Sequence, residues 1–309
     1  MPPFVEELLT EHVKATGRAH DWVELCERQG GVQRGLSDEQ HQALLAKIKE
    51  RSSLRMQNLL LACTMDHASG WLHAPAVPGL GLSLKSENFR VAMKFRLGMA
   101  LIDEGSLCPA TSKSGQVCGA EMDVFGDHAL CCHHGTSRVF RHNQVRDILG
   151  HAAKAAGLSA VVIEKKNQIS GSKKKPGDIT VQQYHRGFSS TAFDVTVTHP
   201  LQKKYIEVAN GEAGVAAQAA HNRKLEKTLE DCKKEGLHFV PLAWESTGGA
   251  AEAVHTTIRK WTDLEAARGG YPVEIIRQNL YAQVSCCLQS HLAQAVLDRL
   301  PERSCSRAL

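Results

Sequence analysis

At 309 residues the chain is long for one compact domain and short for three, and its 42% hydrophobic and 23% charged residues exclude a wholly disordered protein. A net charge of +4 says little by itself about nucleic acid, and 5% aromatic content leaves no obvious base-stacking platform. Ten cysteines behind an amino terminus with no secretory apolar core, MPPFVEELLTEHVK, predict reduced thiols serving as core residues or metal ligands.

Residues 1 to about 65 have helical periodicity. Within LSDEQHQALLAKIKERSSLRMQNLLLAC, Ser37 and Gln40 have the spacing of a capping box, which predicts a helix start there. Two prolines and several glycines make SGWLHAPAVPGLGLSL a connector. SENFRVAMKFRLGMALI follows as an amphipathic helix, with Phe89, Val91, Ala92, Phe95 and Leu97 expected on its buried side.

The next stretch, CPATSKSGQVCGAEMDVFGDHALCC, holds four cysteines and a histidine in the span from Cys108 to Cys132. Zinc takes four thiolate or imidazole ligands in a tetrahedron, supplied as two short pairs. Cys108 and Cys118 form the first candidate pair, their wide gap filled by residues that loop easily. His128 and Cys132 form the second. Cys131, His133 and His134 compete, but a spacing of four directs His128 and Cys132 to one side of a helical turn.

From Arg138 the pattern changes. RVFRHNQVRDILGHAAKAAGLS predicts a helix closed by Gly157. SAVVIEK, GDITVQQY and TAFDVTVTH predict three strands, with a turn near Arg186 and Gly187 between the last two. A helix over about 212–235, a strand in HFVPLAWES, a helix after Gly248 and Gly249, and a final helix over about 273–299 complete the chain. The middle is a mixed α/β unit.

This unit carries candidate chemistry. Glu164 ends the first strand, Asp178 opens the second and Asp194 interrupts an otherwise apolar third. A charge inside a buried strand is costly unless paired or coordinated. Metal-dependent phosphodiester cleavage needs carboxylates converging from adjacent strands, usually with a lysine. Lys165, Lys166, Lys173, Lys174, Lys175 and Arg186 surround the first two acids with positive charge suited to phosphate. Arg141, His142 and Asn143, near a helix start, are candidates to meet DNA phosphate or the carboxylates, with capping and joining of domains as the alternative.

RHNQVRD, EKK, KPGDITV and AFDVTVTHPL, in that order, resemble the restriction-like endonuclease domain of non-LTR retrotransposon proteins, a branch of the PD-(D/E)xK nucleases. That family also sets a Cys-Cys-His-Cys zinc knuckle just upstream, where Cys108, Cys118, His128 and Cys132 stand here. The resemblance covers about residues 70–250 and implies a mixed central sheet flanked by helices. It implies Mg²⁺ held by Asp178 and Asp194, with Glu164 assisting, and structural Zn²⁺ in the knuckle. Two departures stand out: Gly177 separates Pro176 from Asp178, and Thr196 occupies the place of the superfamily lysine. Relatives that draw the lysine from the next helix point to Lys227, with Lys224 as the alternative.

The expected organisation is a helical region over 1–100, the knuckle over 101–137, the nuclease domain over 138–268 and a helical tail over 269–309. The expected function is nicking of target DNA so that a reverse transcriptase encoded upstream can prime on the cut end. DNA is the expected partner, with element RNA as a possible second. Residence would be nuclear, with no membrane span. The alternative is a catalytically inactive nucleic-acid-binding module, gripping through the knuckle, Lys173, Lys174 and Lys175, or a decayed element fragment.

Overall fold

The structure is a computed structural model describing residues 3–27, 31–170 and 175–300. The chain divides into two compact units, residues 1–57 and 58–309.

The amino-terminal unit is helical, with α1 (Pro3–Thr16), α2 (Trp22–Glu27) and α3 (Val32–Arg51). Ser37 does not cap a helix: α3 begins five residues earlier, after Gly31, whose φ of 74° provides the left-handed turn. His12 and Leu25 are the buried side chains among the described residues of this unit. The core is thin.

The second unit includes Leu59 and Ala62 of α4 (Leu54–Thr64), both buried, then α5 (Gly70–His73) and α6 (Ser86–Arg96). Val91, Ala92 and Phe95 of α6 are buried as expected, but Phe89 and Leu97 are exposed, because the packed stripe is narrower than the apolar pattern. After the cysteine segment with α7 (Asp127–Cys131) come α8 (Ser137–Ala155), β1 (Val162–Ile163), β2 (Ile179–Gln182) and β3 (Ser190–Thr198). The short α9 (Lys203–Ile206) leads to α10 (Val215–Lys234), β4 (Leu237–Glu245), α11 (Glu252–Gly269) and α12 (Val273–Leu297).

The sheet is mixed, in the order β1-β2-β3-β4. The first two pairings are antiparallel and β3–β4 is parallel, with Ile163 opposite Ile179, Ile179 opposite Phe193 and Asp194 opposite Pro241. Alternation along the strands sorts the two faces. Ile179, Val181, Phe193, Val195, Leu242 and Trp244 pack with α8, α11 and α12. Ala192 and Phe239 pack with Leu225, Leu229 and Cys232 of α10 on the other face. Asp194 shares the α10 face with Ala192, two residues before it.

α12 is apolar around much of its circumference and lies in the core through Leu280, Tyr281, Val284 and Leu288. Its far end, at Ala293 and Val296, packs with Val91 and the cysteine segment. No helix among the described residues is long and apolar enough to cross a membrane.

Candidate metal centre and acidic cleft

Cys108, Cys118, His128 and Cys132 come together with their donor atoms all within 4.8 Å of one another. The wide gap after Cys108 is spanned by a hairpin: Cys108 N–H donates to Ala120, Cys118 N–H to Ala110 and Ser112 N–H to Gln116. The hairpin sets Cys108 opposite Ala120 and Cys118 opposite Ala110, which brings the two cysteines near each other on adjacent arms. Asp123 begins the second half, its carboxylate accepting the N–H groups of Phe125, Asp127 and His128. α7 then returns Cys132 to His128, whose carbonyl accepts the Cys132 N–H at 2.8 Å.

Zinc–sulfur bonds of about 2.3 Å set tetrahedral edges of about 3.8 Å. Here Cys108 Sγ and Cys132 Sγ are 3.9 Å apart, Cys118 Sγ and Cys132 Sγ 3.6 Å, and Cys118 Sγ and His128 Nε2 3.7 Å. The group can hold a metal such as zinc. Cys131 stands outside it, with burial pushing its thiol up to about 12. Cys63, Cys108, Cys118, Cys131, Cys132, Cys232, Cys286 and Cys287 are free thiols.

At the sheet edge, continuing the two antiparallel registers by one residue aligns Glu164, Asp178 and Asp194 across β1, β2 and β3. Glu164 N–H donates to the Asp178 carbonyl at 2.7 Å, and Asp178 N–H to the Phe193 carbonyl at 2.8 Å. Gly177 makes this close approach possible: a Cβ there would lie 2.8 Å from Phe193 O. The extra residue between Pro176 and Asp178 therefore has a steric reason to be glycine.

Each acid has a distinct setting. Glu164 accepts from Lys175 Nζ at 2.6 Å and Arg146 Nη1 at 2.5 Å. The Lys175 hydrogen bond and charge, with Arg146, outweigh partial burial and hold its carboxyl below the usual range. Asp178 is buried, its Oδ2 taking the Val195 N–H at 2.8 Å and its Oδ1 lying 3.3 Å from His142 Nε2 and 3.4 Å from Lys175 Nζ. Burial pushes Asp178 up, but His142, the Val195 amide and Lys175 hold it low. Asp194 Oδ2 is paired with Lys224 Nζ at 2.7 Å, its one close cationic partner among the described residues. Burial raises the Asp194 carboxyl, and the neighbouring Asp178 adds to the shift against the pull of Lys224. One acid of the pair is held ionised while the other is pushed toward its neutral form.

Glu164, Lys166, Lys175, Asp194, Lys224 and Lys227 line one cleft of about 550 Å³, also bordered by Asp231. Asp178 lies behind it, linked through Lys175. The three acids are not among the described groups whose donor atoms meet within 4.8 Å. They are aligned, and Arg146, Lys175 and Lys224 are ion-paired with them, Lys175 bridging Glu164 and Asp178. Lys224, rather than Lys227, makes the ion pair with Asp194; Lys227 is exposed one helical turn further along.

The remaining candidates, and two further buried polar residues at the ends of β3 and β4, fall elsewhere. Arg141 is buried, its guanidinium 3.5 Å from the Leu130 carbonyl, and burial lowers it to about 10. It joins α8 to α7 and is not available to DNA phosphate. Asn143 accepts from Arg146 at 3.1 Å, at the margin of the acidic site. Lys173 and Lys174 lie outside the described residues. His199 is buried away from the cleft, bridging Ser246 Oγ at 2.7 Å and Asp127 Oδ1 at 3.1 Å. Glu245 is also buried elsewhere, accepting the Ala217 N–H at 3.2 Å. Arg146 was not singled out from the sequence, although it stands four residues after His142 on one face of α8.

No family model matches this sequence, and no curated protein matches it significantly.

Proposed function

We propose that residues 58–309 carry a divalent-metal-dependent DNA endonuclease of the restriction-like type. The observation that carries this reading is the alignment of Glu164, Asp178 and Asp194 across three strands, beside a cleft that Lys175, Lys224 and Lys227 line. The antiparallel run of β1, β2 and β3, followed by α10 and the parallel β4, supports the same reading.

Hard divalent cations prefer carboxylate oxygens, and Asp194 presents a largely buried carboxylate whose charge is offset by Lys224. Asp194 and Asp178 would hold Mg²⁺, with Glu164 assisting. Such an ion would polarise the scissile phosphate and make bound water more acidic. The chain's own part is positioning. The Val195 amide and His142 fix Asp178. Lys175 and Lys224 offset carboxylate charge here and would turn to phosphate oxygens when DNA enters. The exposed Lys166 and Lys227 would draw the backbone toward the cleft. The Cys-His group, loaded with zinc, would brace α7 against α12. A chromosomal target, element RNA as a second partner, a reverse transcriptase encoded upstream and nuclear residence belong to the same proposal.

The test is nicking of supercoiled plasmid in Mg²⁺ or Mn²⁺. Wild type should nick and Asp194→Ala should not; equal nicking by both would end the assignment. A second reading, an inactive nucleic-acid-binding module, draws on Thr196 and on the lysines that neutralise the acids. Salt-dependent DNA binding without metal-dependent nicking would favour it.

A further inference from the structure

His12 on α1, His20 in the following loop and Glu39 on α3 bring three donor atoms within 4.8 Å of one another, inside the amino-terminal unit. His12 Nε2 is 3.1 Å and His20 Nε2 2.8 Å from Glu39 Oε2, and the two rings lie 5.1 Å apart. Arg18 Nη1 is 3.9 Å from the other carboxylate oxygen. Two imidazole nitrogens and a carboxylate are a donor set that zinc and related divalent ions accept, with a fourth position left for water.

The surroundings favour a metal over simple packing. His12 is one of two buried side chains among the described residues of 1–57, and its Nδ1 is buried without a hydrogen-bond partner. An apolar residue would serve that position better if filling space were its purpose. α3 has no buried residue at all. Units of this size with little apolar core commonly depend on a metal, a disulfide or a partner. The three side chains come from α1, the loop after it and α3, so one ion would tie these three segments together. Metal–ligand bonds of about 2.1 Å set tetrahedral edges near 3.4 Å, so each histidine Nε2 needs to move from Glu39 Oε2 only by a few tenths of an ångström.

We propose that His12, His20 and Glu39 form a second, independent binding site for a zinc-class divalent cation, which staples α1 to α3. It does not rest on the endonuclease reading.

The full chain, stripped with chelator, reloaded with Zn²⁺ and dialysed, is assayed for zinc per chain by elemental analysis. Wild type should hold about two ions, one for each cluster. His20→Ala and Glu39→Gln should each lose one, while Cys118→Ser loses the other. Glu39→Gln keeps an oxygen that accepts from both histidines but lacks the anionic ligand. Loss of zinc with unchanged helical circular dichroism thus separates coordination from folding. A wild-type content of one ion that Cys118→Ser abolishes would overturn the proposal. So would full content retained in either His20→Ala or Glu39→Gln. A content of one ion that His20→Ala removes and Cys118→Ser spares would support it.

Discussion

The backbone N–H of Val195 reaches across from β3 to Asp178 Oδ2 at 2.8 Å, tying the carboxylate of one strand to the residue that follows Asp194 on the next. Because this donor is backbone, no side-chain change at 195 removes it. The position of Asp178 therefore depends on how closely the two strands approach, and that approach depends on Gly177. Alanine there would set its Cβ 2.8 Å from Phe193 O, against main chain that cannot swing aside. Gly177→Ala should cost about 1–3 kcal/mol in thermal or urea unfolding. It should also slow plasmid nicking, although Asp178 itself is untouched. Unchanged stability would show that β2 and β3 separate freely at this edge.

Lys224 and Lys227 can be ranked by substitution. Lys224 is 2.7 Å from Asp194 Oδ2, whereas Lys227 is exposed on the cleft wall. Lys224→Met should reduce the nicking rate about 100-fold or more, the usual scale for removing a charge aimed at the reacting group. Lys227→Met should act mainly through weaker, more salt-sensitive DNA binding. Rates measured at saturating DNA separate the two. A larger loss at Lys227 would reverse the assignment.

How much of this was legible follows from the range of each signal. The four knuckle ligands lie close in sequence, and the spacing of four that favours Cys132 over Cys131 is local geometry. The order of α8, three strands, α10, β4 and α11 follows from alternating strands and glycine punctuation, including Gly157 at φ 72° just past α8. β1 shrank to two residues because Ala160 and Glu164, on either side of it, adopt left-handed backbone, which nothing in SAVVIEK announces. The Ser37 pattern failed because a capping box is a local preference that a helix already under way from Val32 overrides. Of the two roles open to Arg141, contact with DNA phosphate or the carboxylates and joining of domains, its burial against α7 leaves the second. Spacing of four places Arg141 in line with Val145 and Leu149, so α8 buries it. The same spacing puts His142 in line with Arg146, and these two face the acids. The ion pair between Asp194 and Lys224 is a tertiary contact that depends on how α10 crosses the sheet, and sequence spacing offered only a choice between two lysines.

Metal removal should affect the knuckle selectively. Cys108, Cys132 and Met122 pack in one cluster with Val91, Ala293 and Val296, so the closed site and this small core form together. Cys118→Ser, or chelation, should expose this cluster and lower the melting temperature. Cys131→Ser should leave metal content unchanged, since Cys131 lies outside the ligand group. Zinc analysis and near-ultraviolet circular dichroism of both variants check the assignment. Loss of metal in Cys131→Ser would move the fourth ligand by one residue.

Glu245 provides a pH test independent of any metal site. It is buried at the end of β4, accepting the Ala217 N–H and the Thr247 hydroxyl, and burial raises its carboxyl from 4.5 to about 7 despite those bonds. Below pH 4.5 the group is protonated in both folded and unfolded chains, and its favourable contribution is complete. As pH rises toward 7 the unfolded chain releases the proton while the folded chain keeps it, so stability falls. Above that range both forms are ionised and the loss is complete, on the order of 3 kcal/mol. Glu245→Gln keeps an accepting oxygen for Ala217, and its amide can donate to Thr247. The variant should therefore melt several degrees above wild type at pH 8 and match it more closely near pH 4.5. Subtracting the two stability curves cancels the other titrating groups. A difference that is flat across this range would mean that the folded Glu245 is ionised at neutral pH, stabilised by its two hydrogen bonds.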